Sequence, residues 1–459
     1  MTRNNNEYKT NTNAVLFVIC LSSSLVPFMG SALNLALPFI NSDFSISASL
    51  SGWIPTSYML STAIFQIPCA KLADMVGRRK VFIWGLILFI LFSILSGIAF
   101  SAESLIIYRF LSGIGSAMMF STSAAILISA IPLEKRGQAL GINAAFVYIS
   151  LAAGPFLGGI LTQYWGWHSI FFVSATVAAI VLAGTFLVIK EDWKEGKQKF
   201  DVVGSTLYAL ALSAIIYGFS ILPVWYGFVL LGAGILLILF FAVYEKKLQN
   251  PVFNVRLFLE NRVFKYSSIS ALINYSATFA ISFMLSLYLQ YVRGLSPQDA
   301  GLILIVQSLM MAVVSFGSGR LSDKMSPAFL ATLGMFIIFV GLIGLCFITE
   351  TTNLYIIIAM LVVIGFGFGI FSSPNMNILM SSVEKKYYGM ASATSGTMRL
   401  VGQSLSMGIA MMAISIQIGN MQFSPEVHDG LMRSMRITFI ACSVLCLFGV
   451  YASSVRQGK

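Results

Sequence analysis

Residues 71–100 read KLADMVGRRKVFIWGLILFILFSILSGIAF. A polar, basic segment (71–80) is followed by a segment of twenty residues without a single charge (81–100). Twenty residues in an α-helix rise about 30 Å, which is the thickness of the hydrocarbon core of a bilayer. Within lipid only a helix satisfies all of its own backbone groups along one segment. The stretch therefore predicts a helix that crosses a membrane and starts from a basic loop.

The same pattern recurs along the whole chain. Of its 459 residues 58% are hydrophobic and only 10% are charged, and the mean hydropathy is +0.87. A soluble protein of this length would carry more charge on its surface. All 17 Asp and Glu residues lie at or outside the ends of the apolar segments, so we predict no carboxylate at the middle of a span. The fourteen predicted spans are 14–38, 49–70, 81–100, 104–130, 137–163, 169–189, 202–222, 226–244, 264–289, 299–320, 327–349, 353–375, 390–415 and 433–454.

The net charge of +11 is distributed unevenly across the predicted membrane. All but five of the 28 Lys and Arg residues lie on the side that carries the 71–80 loop, which the positive-inside rule assigns to the cytoplasm. Both chain termini are then cytoplasmic, and the basic balance reflects topology and not nucleic-acid binding. The first span lacks a compact basic flank and a small-residue cleavage site, so we interpret it as a retained helix and not a signal peptide. The five exceptions are Arg109, Arg293, Arg399, Arg433 and Arg436.

The side chains that carry enzyme or metal chemistry are scarce in this sequence. The five Cys residues lie within or at the edges of apolar spans and match no metal-binding spacing, so we expect small buried side chains, no metal and no cofactor. Only two His residues occur, and no Ser/His/Asp set lies within the spans. An enzyme is therefore not expected. A sensor or scaffold would be expected to carry a soluble domain, and the polar connections here are short.

The connections divide the chain into two matched parts. Long charged connections at 190–201 and 245–263 bracket two spans and leave six before and six after. The loop after span two, Leu-Ala-Asp within 71–80, has a weak counterpart after span ten, Leu-Ser-Asp within 319–325. Two six-helix halves with a site between them near the midplane are a recurring transporter design. The predicted organisation is a tail (1–13), an N-terminal bundle (14–190), a linker with two extra helices (191–263), a C-terminal bundle (264–454) and a tail (455–459).

The loop after span two resembles the cytoplasmic signature of the major facilitator superfamily, Gly-x-Leu-Ala-Asp-Arg-x-Gly-Arg-Arg. Ala70 and Met75 depart from that pattern. The resemblance implies the major facilitator fold, and it implies that the loop acts as a latch between the two halves in the outward-open state. The alternative is a solvated turn that only obeys the positive-inside rule. The residues to which the latch role carries over are Asp74, Gly77, Arg78 and Arg79, with Asp323 in the counterpart loop.

Further motifs resemble the fourteen-span branch of drug:proton antiporters within that superfamily. Span four contains Arg109 followed by Gly113 and Gly115, and span thirteen contains Arg399 within SATSGTMRLVG (392–402). The resemblance implies proton transfer for Arg109 and a binding or coupling role for Arg399; structural anchoring is the alternative for each. The linker segments FDVVG and PVFNVRLFLENR also match this branch. Span five carries an antiporter-like motif whose alternative is an ordinary packing face: Gly154, Pro155, Gly158 and Gly159.

One position in span one departs from the branch. The family commonly has an Asp where this chain has Met29. A membrane-embedded acid normally serves as the proton carrier and as the partner of cationic drugs, so specificity for dications is not expected here. Two alternatives remain open for the coupling: protons are carried by Asp43 or Asp74, or coupling to protons is weak.

The sequence therefore predicts a secondary transporter that works by alternating access, and the resemblance implies proton-coupled efflux of hydrophobic or amphipathic compounds as its function. The alternative is transport of an anionic or neutral metabolite, which Arg399 without a buried acid favours. The expected partners are the lipid bilayer, a small-molecule substrate and protons, in the cell membrane of a bacterium or archaeon. Eight neutral amides in the spans are candidates for the substrate cavity, or for helix packing: Asn34, Gln66, Asn143, Asn274, Gln307, Asn375, Asn377 and Gln403.

Overall fold

The structure is a computed structural model that describes residues 12–132, 136–194, 200–248, 251–322, 324–384, 388–419, 421–423 and 425–455. Nearly all of this part of the chain is helical. The first half comprises α1 (Thr12–Phe44), the short α2 (Ala48–Ser51), α3 (Trp53–Val76), α4 (Arg78–Gly97), α5 (Ala102–Ala130), α6 (Arg136–Trp165) and α7 (His168–Val188).

Two further long helices and a second half follow. The extra pair is α8 (Val202–Ser220) and α9 (Trp225–Glu245). A short helix that the sequence did not indicate, α10 (Val255–Glu260), precedes the second half. That half comprises α11 (Arg262–Leu287, continued by a π-helical turn at Tyr288–Val292), α12 (Pro297–Leu321), α13 (Pro327–Leu345), α14 (Leu354–Ser381), α15 (Tyr388–Gln417) and α16 (His428–Val455).

Thirteen of the described helices are long and apolar enough to cross a membrane. The fourteenth long helix, α3, has 24 residues, and its polar side chains, among them Thr62 and Gln66, are buried against other helices and not turned to lipid. Polar groups inside a membrane protein are tolerated where protein covers them. The predicted all-α polytopic fold is confirmed, with helices that extend past the predicted spans at several ends.

The helix order produces the same packing pattern twice. In the first half α1 packs on α6, α3 on α5, and α4 on α5 and α7; in the second half α11 packs on α15, α12 on α14, and α13 on α14 and α16. Glycines permit the closest crossing in each half. A Cβ on Gly85 would lie 2.8 Å from the carbonyl oxygen of Gly115, and one on Gly334 would lie 2.6 Å from that of Gly367. Such small-residue contacts allow helix backbones to approach within a membrane.

The extra pair of helices covers the seam between the halves. Helix α8 packs on α3 of the first half and on α15 of the second. The Tyr208 hydroxyl donates to the Ala63 carbonyl of α3 at 3.3 Å. The Tyr217 ring lies 5.4 Å from the Trp53 ring, while Phe219 lies against Gly408 of α15. Helix α9 packs on α8 and is otherwise largely exposed, as expected of a helix that faces lipid.

Hydrogen bonds between the halves close the outer side of the bundle. The Ser286 hydroxyl of α11 donates to the Asn34 carbonyl of α1 at 2.7 Å, and the Asn41 amide donates to the Tyr291 hydroxyl at 3.3 Å. Next to α2, the Ser49 hydroxyl donates to the Gly419 carbonyl at 2.8 Å. We call this set of contacts, together with the packing of α6 on α12, the outer seal.

Candidate functional site

A cavity of about 250 Å³ lies between the two halves. Its wall is formed by the parts of α5, α6, α14 and α15 that lie toward the cytoplasmic ends of these helices, with contributions from α1, α3 and α11. Two smaller chambers of about 50 and 40 Å³ continue it toward the outer seal and share Tyr275 with it. The path therefore runs from the cytoplasmic side to a closed outer side, which is an inward-facing arrangement.

Arg399 lies where the cavity meets the first small chamber. It is about 16 Å along α15 from Tyr388, so its half-buried guanidinium is too deep to reach the membrane surface along its own helix. The guanidinium carbon lies 4.5 Å from the ring centroid of Phe120 on α5, in the opposite half. The Tyr275 hydroxyl lies beside it as a hydrogen-bonding partner. A cation held on an aromatic face keeps its charge available to a ligand.

Aromatic side chains, which the sequence analysis did not single out, form much of the wall. Tyr148 of α6 and Ser372 of α14 form a hydrogen bond between their hydroxyl groups across the cavity. The rings of Tyr275 and Phe368 pack edge to face with centroids 5.4 Å apart. The sequence alone does not distinguish these aromatic residues from other apolar residues of the spans, because only the fold shows which face of each helix borders the cavity.

Six of the eight candidate amides border the cavity or its chambers, and two do not. The Asn274 amide is fully buried and donates to the Met335 sulfur of α13 at 3.1 Å, inside the second half. The Asn377 amide donates to the Ser322 hydroxyl of α12 at 3.3 Å. Both lie on helix faces turned away from the seam. The bordering amides are Gln66, Asn143 and Asn375 in the cavity, and Asn34, Gln307 and Gln403 in the chambers.

Arg109 lies inside the first half and is fully buried. The guanidinium carbon lies 4.1 Å from the ring centroid of Tyr58, and the Nε atom lies 3.5 Å from the Ile54 carbonyl. Its two terminal nitrogens have no hydrogen-bond partner among the described residues. The charge is therefore stabilised mainly by the aromatic face and not by an ion pair.

Two positions of α1 that bear on proton coupling, Met29 and Asp43, lie outside the cavity. Met29 is fully buried in the helix packing. Asp43, at the outer end of α1, accepts a hydrogen bond from the Trp167 indole nitrogen at 2.6 Å. The described lining of the cavity contains no Asp or Glu.

The antiporter-like motif lies where α1, α6 and α12 approach one another. A Cβ on Gly158 would lie 2.7 Å from the Ala32 backbone of α1. A Cβ on Gly159 would collide with the Pro297 carbonyl at the start of α12, and one on Gly301 of α12 would lie 2.5 Å from the Pro155 carbonyl. Gly154 packs in the same way against Ser31. The motif therefore contributes directly to the outer seal.

The loop between α3 and α4 is held by contacts with the first half and with the start of the linker. Arg78 forms an ion pair with Asp74 at 2.8 Å and donates to the Ser129 hydroxyl of α5 at 2.8 Å. Gly77 has φ +129°, a conformation that only glycine adopts readily, and a Cβ there would collide with the Asp192 carboxylate. The backbone N–H of Arg79 donates to Asp192 at 3.0 Å. Asp192, in the linker, was not predicted as a partner of this loop, and Asp323 lies outside the described residues.

We expect Asp74→Asn to reduce the transport rate about fivefold without preventing membrane insertion. The ion pair with Arg78 is mostly buried and contributes about 1 kcal/mol to the position of the loop. The measurement is flux per inserted molecule in proteoliposomes. Glu260→Asn, an exposed acid on α10, is the control and should leave the flux unchanged. Unchanged flux in the Asp74 variant would remove the latch role.

Two matched helix bundles in a membrane, with a sealed outer side and a cavity between them, are the architecture of a secondary transporter. Residues 19–407 match the family described as the Major Facilitator Superfamily, and the chain belongs to that family. It is a secondary transporter and not an enzyme, and an integral multi-pass membrane protein.

The chain is similar to several bacterial transporters. It is 30% identical to the riboflavin transporter RibZ of Clostridioides difficile over 442 residues, and this aligned region covers 95% of each protein. It is 30% identical over 406 residues to the multidrug resistance protein Stp of Mycobacterium tuberculosis, covering 87% of this chain and 74% of Stp. With multidrug resistance protein 3 of Bacillus subtilis the identity is 29% over 364 residues, 78% of this chain and 71% of that protein.

Solved structures share the fold. A bacterial homolog of the human lysosomal transporter Spinster, in an inward-facing and unoccupied conformation, superimposes with a TM-score of 0.71 at 17% identity. The match covers 98% of this chain and 97% of the other.

Proposed function

We propose that this transporter exports flat aromatic compounds, neutral or negatively charged, from the cytoplasm in exchange for protons. Arg399 is the observation on which the proposal rests. Its guanidinium is stacked on Phe120 and lies beside the Tyr275 hydroxyl, in a cavity whose described lining contains no carboxylate.

The chemistry of the wall supports this substrate class. A fixed positive charge in a site of low dielectric constant attracts anions and electron-rich rings, and it repels dications where no carboxylate offsets it. Aromatic side chains such as Tyr148 and Tyr275 offer faces on which a flat ring system can stack. The carbonyl oxygens of Gln66 and Asn143 are buried without a hydrogen-bond partner, so they are available to accept from donors on a substrate.

Export in exchange for protons is supported by the antiporter-like motif in the outer seal and by the relatives named multidrug resistance proteins. We therefore also propose that the chain belongs to the fourteen-span antiporter branch and lies in a bacterial plasma membrane. Arg109 and Arg399 are the buried charges that we propose for coupling. The loop with Asp74 is the proposed latch of the outward-facing state.

A second candidate function is transport of one anionic or neutral metabolite. It is favoured by the same arginine and by the similarity to a riboflavin transporter over nearly the whole chain. The two candidates differ in driving force and in the range of compounds carried.

The test is uptake into inside-out membrane vesicles that contain the chain and carry an acid-interior pH gradient. The probes are riboflavin, the flat anion fluorescein and the flat cation ethidium. We expect uptake of the first two and its loss when an ionophore collapses the gradient. Uptake of riboflavin alone that persists without the gradient would favour the second candidate. Uptake of ethidium alone would contradict both.

A further inference from the structure

Two acidic side chains meet at the cytoplasmic end of the α8–α9 pair, away from the cavity. Glu245 is the last residue of α9 and is 1% exposed, and Asp201 is the N-cap of α8. Asp201 Oδ1 accepts hydrogen bonds from the backbone N–H of Gly204 at 2.9 Å and from the Tyr244 hydroxyl at 3.2 Å. Glu245 Oε2 accepts from the backbone N–H of Phe253 at 3.2 Å. The three donors lie on α8, on α9 and in the following linker, so these hydrogen bonds tie the two helix ends to that linker.

The other oxygen of each carboxyl group is buried and has no hydrogen-bond partner in the described part of the chain. These atoms are Asp201 Oδ2 and Glu245 Oε1. Both face the same small space, because a Cβ built on Gly204 would collide with both of them. A buried acceptor without a donor is costly in free energy, and two ionised carboxylates that share one small buried space repel each other. A single hydrogen atom between the two oxygens would satisfy both.

Among the residues that the structure describes, no cationic side chain supplies that missing donor. The described groups that face Glu245 are Asp201 on α8 and Tyr244 on its own helix, together with the backbone of the linker. Lys246 and Lys247 follow on the same turn with exposed side chains. Arg256 of α10 is also exposed, and its Nε donates to the Lys246 carbonyl at 3.0 Å and not to the acidic pair.

We propose that Asp201 and Glu245 form a proton-binding site in which one proton is shared between Oδ2 and Oε1. The site lies where the linker from the first half enters the extra helix pair and the linker to the second half leaves it. With the proton bound, the ends of α8 and α9 and residue 253 are held together. When the proton leaves, two like charges remain in a buried space. The contact between the ends of α8 and α9 and residue 253 then opens or admits water. This inference is independent of the substrate class proposed for the cavity.

The test is infrared difference spectroscopy of the purified full-length chain in detergent, recorded in steps from about pH 5 to pH 9, the range in which buried carboxyl groups titrate. We expect a protonated-carboxyl band at neutral pH that disappears as the pH rises. Glu245→Gln and Asp201→Asn should each remove the band. Both keep the shape of the site, and the new amide donates the hydrogen bond that the proton provided, so the fold is retained. Glu260→Gln, an exposed acid nearby in the chain, should leave the band unchanged.

A pair of glycine variants tests the geometry separately. Gly204→Ala places a Cβ against both oxygens and should shift or abolish the band, whereas Gly232→Ala on α9, where nothing lies within 4 Å, should not. A wild-type chain without the band at neutral pH, or a band that survives in Glu245→Gln, would overturn the proposal. If Na⁺ or Ca²⁺ stabilised the folded chain while the band was absent, a metal cation and not a proton would be the ligand. That result would equally overturn the proposal.

Discussion

Replacement of Arg399 with alanine is expected to lower the affinity for an anionic aromatic substrate roughly 30- to 150-fold. The guanidinium is the one cation in the described wall of the cavity, and it is held between Phe120 and Tyr275. Loss of a desolvated cation that pairs with an anion and stacks on rings costs about 2 to 3 kcal/mol of binding. The measurement is the concentration dependence of fluorescein uptake into the inside-out vesicles.

Two further variants separate the roles of the arginine. Arg399→Lys keeps the charge but loses the planar face, so it should recover only part of the affinity. Arg433→Ala, which removes an exposed arginine near the outer end of α16, is the matched control and should transport normally. If Arg399→Ala inserted normally and bound fluorescein as well as the wild type, the cavity would not recognise anions through this residue.

Gly301→Val is expected to shift the transporter toward the outward-facing state and to slow turnover. The new side chain would meet the Pro155 carbonyl, 2.5 Å from its Cβ, and the Leu35 methyl, 3.0 Å away, so α6 and α12 could not close at the outer seal. Overpacking of this kind costs about 1 to 3 kcal/mol, which shifts the equilibrium between the two states about 5- to 150-fold. Gly317→Val on the same helix, where nothing lies within 4 Å, is the control.

The shift is measured by chemical labelling from the outside. Ser286 is fully buried in the outer seal, so a cysteine placed there should resist a membrane-impermeant thiol reagent in the wild-type background. The same cysteine should react readily in the Gly301→Val background. Normal flux together with an unreactive cysteine would show that the seal does not control the cycle. The five native cysteines are buried and should give little background labelling.

The sequence predicts the helices of this fold well, because the membrane leaves few alternatives. A segment such as 81–100 has one stable conformation in lipid, and its basic flank determines on which side it starts. The division into two sets of six also follows from the positions of the charged linkers. The ends of the helices were less predictable: α1 extends to Phe44, well past the predicted end of span one, and its last turns carry the polar residues Asn41 and Asp43, which bond to Tyr291 and Trp167.

The residues of the cavity could be predicted only in part. Asn375 borders the cavity and Asn377 does not, since two positions along a helix point to nearly opposite sides. Asn274 faces α13 while its neighbour Tyr275 faces the cavity. Helix α11 is buried on nearly all sides, so its sequence has no apolar stripe that would identify the side facing the seam.

Contacts between distant residues explain the remaining differences. The stacking of Arg109 on Tyr58 joins α5 to α3, and no local pattern indicates it. Asp201 and Glu245 each lie at the end of a predicted span, where an acid normally contacts water. Only the packing of α8 on α9 and the course of the following linker bring the two carboxyl groups together and bury them.

We expect the two six-helix halves to move against each other around the cavity during transport. This motion is tested by electron-spin distance measurement on two pairs of labels in lipid nanodiscs, with and without fluorescein and at acidic and neutral pH. One pair joins the cytoplasmic positions Lys80 and Met325, and the other joins the outer positions Phe100 and Phe347, all of which are exposed. We predict that the cytoplasmic distance shortens as the outer distance lengthens. Distances that both stay constant, or that lengthen together, while the labelled chains still transport would contradict this account.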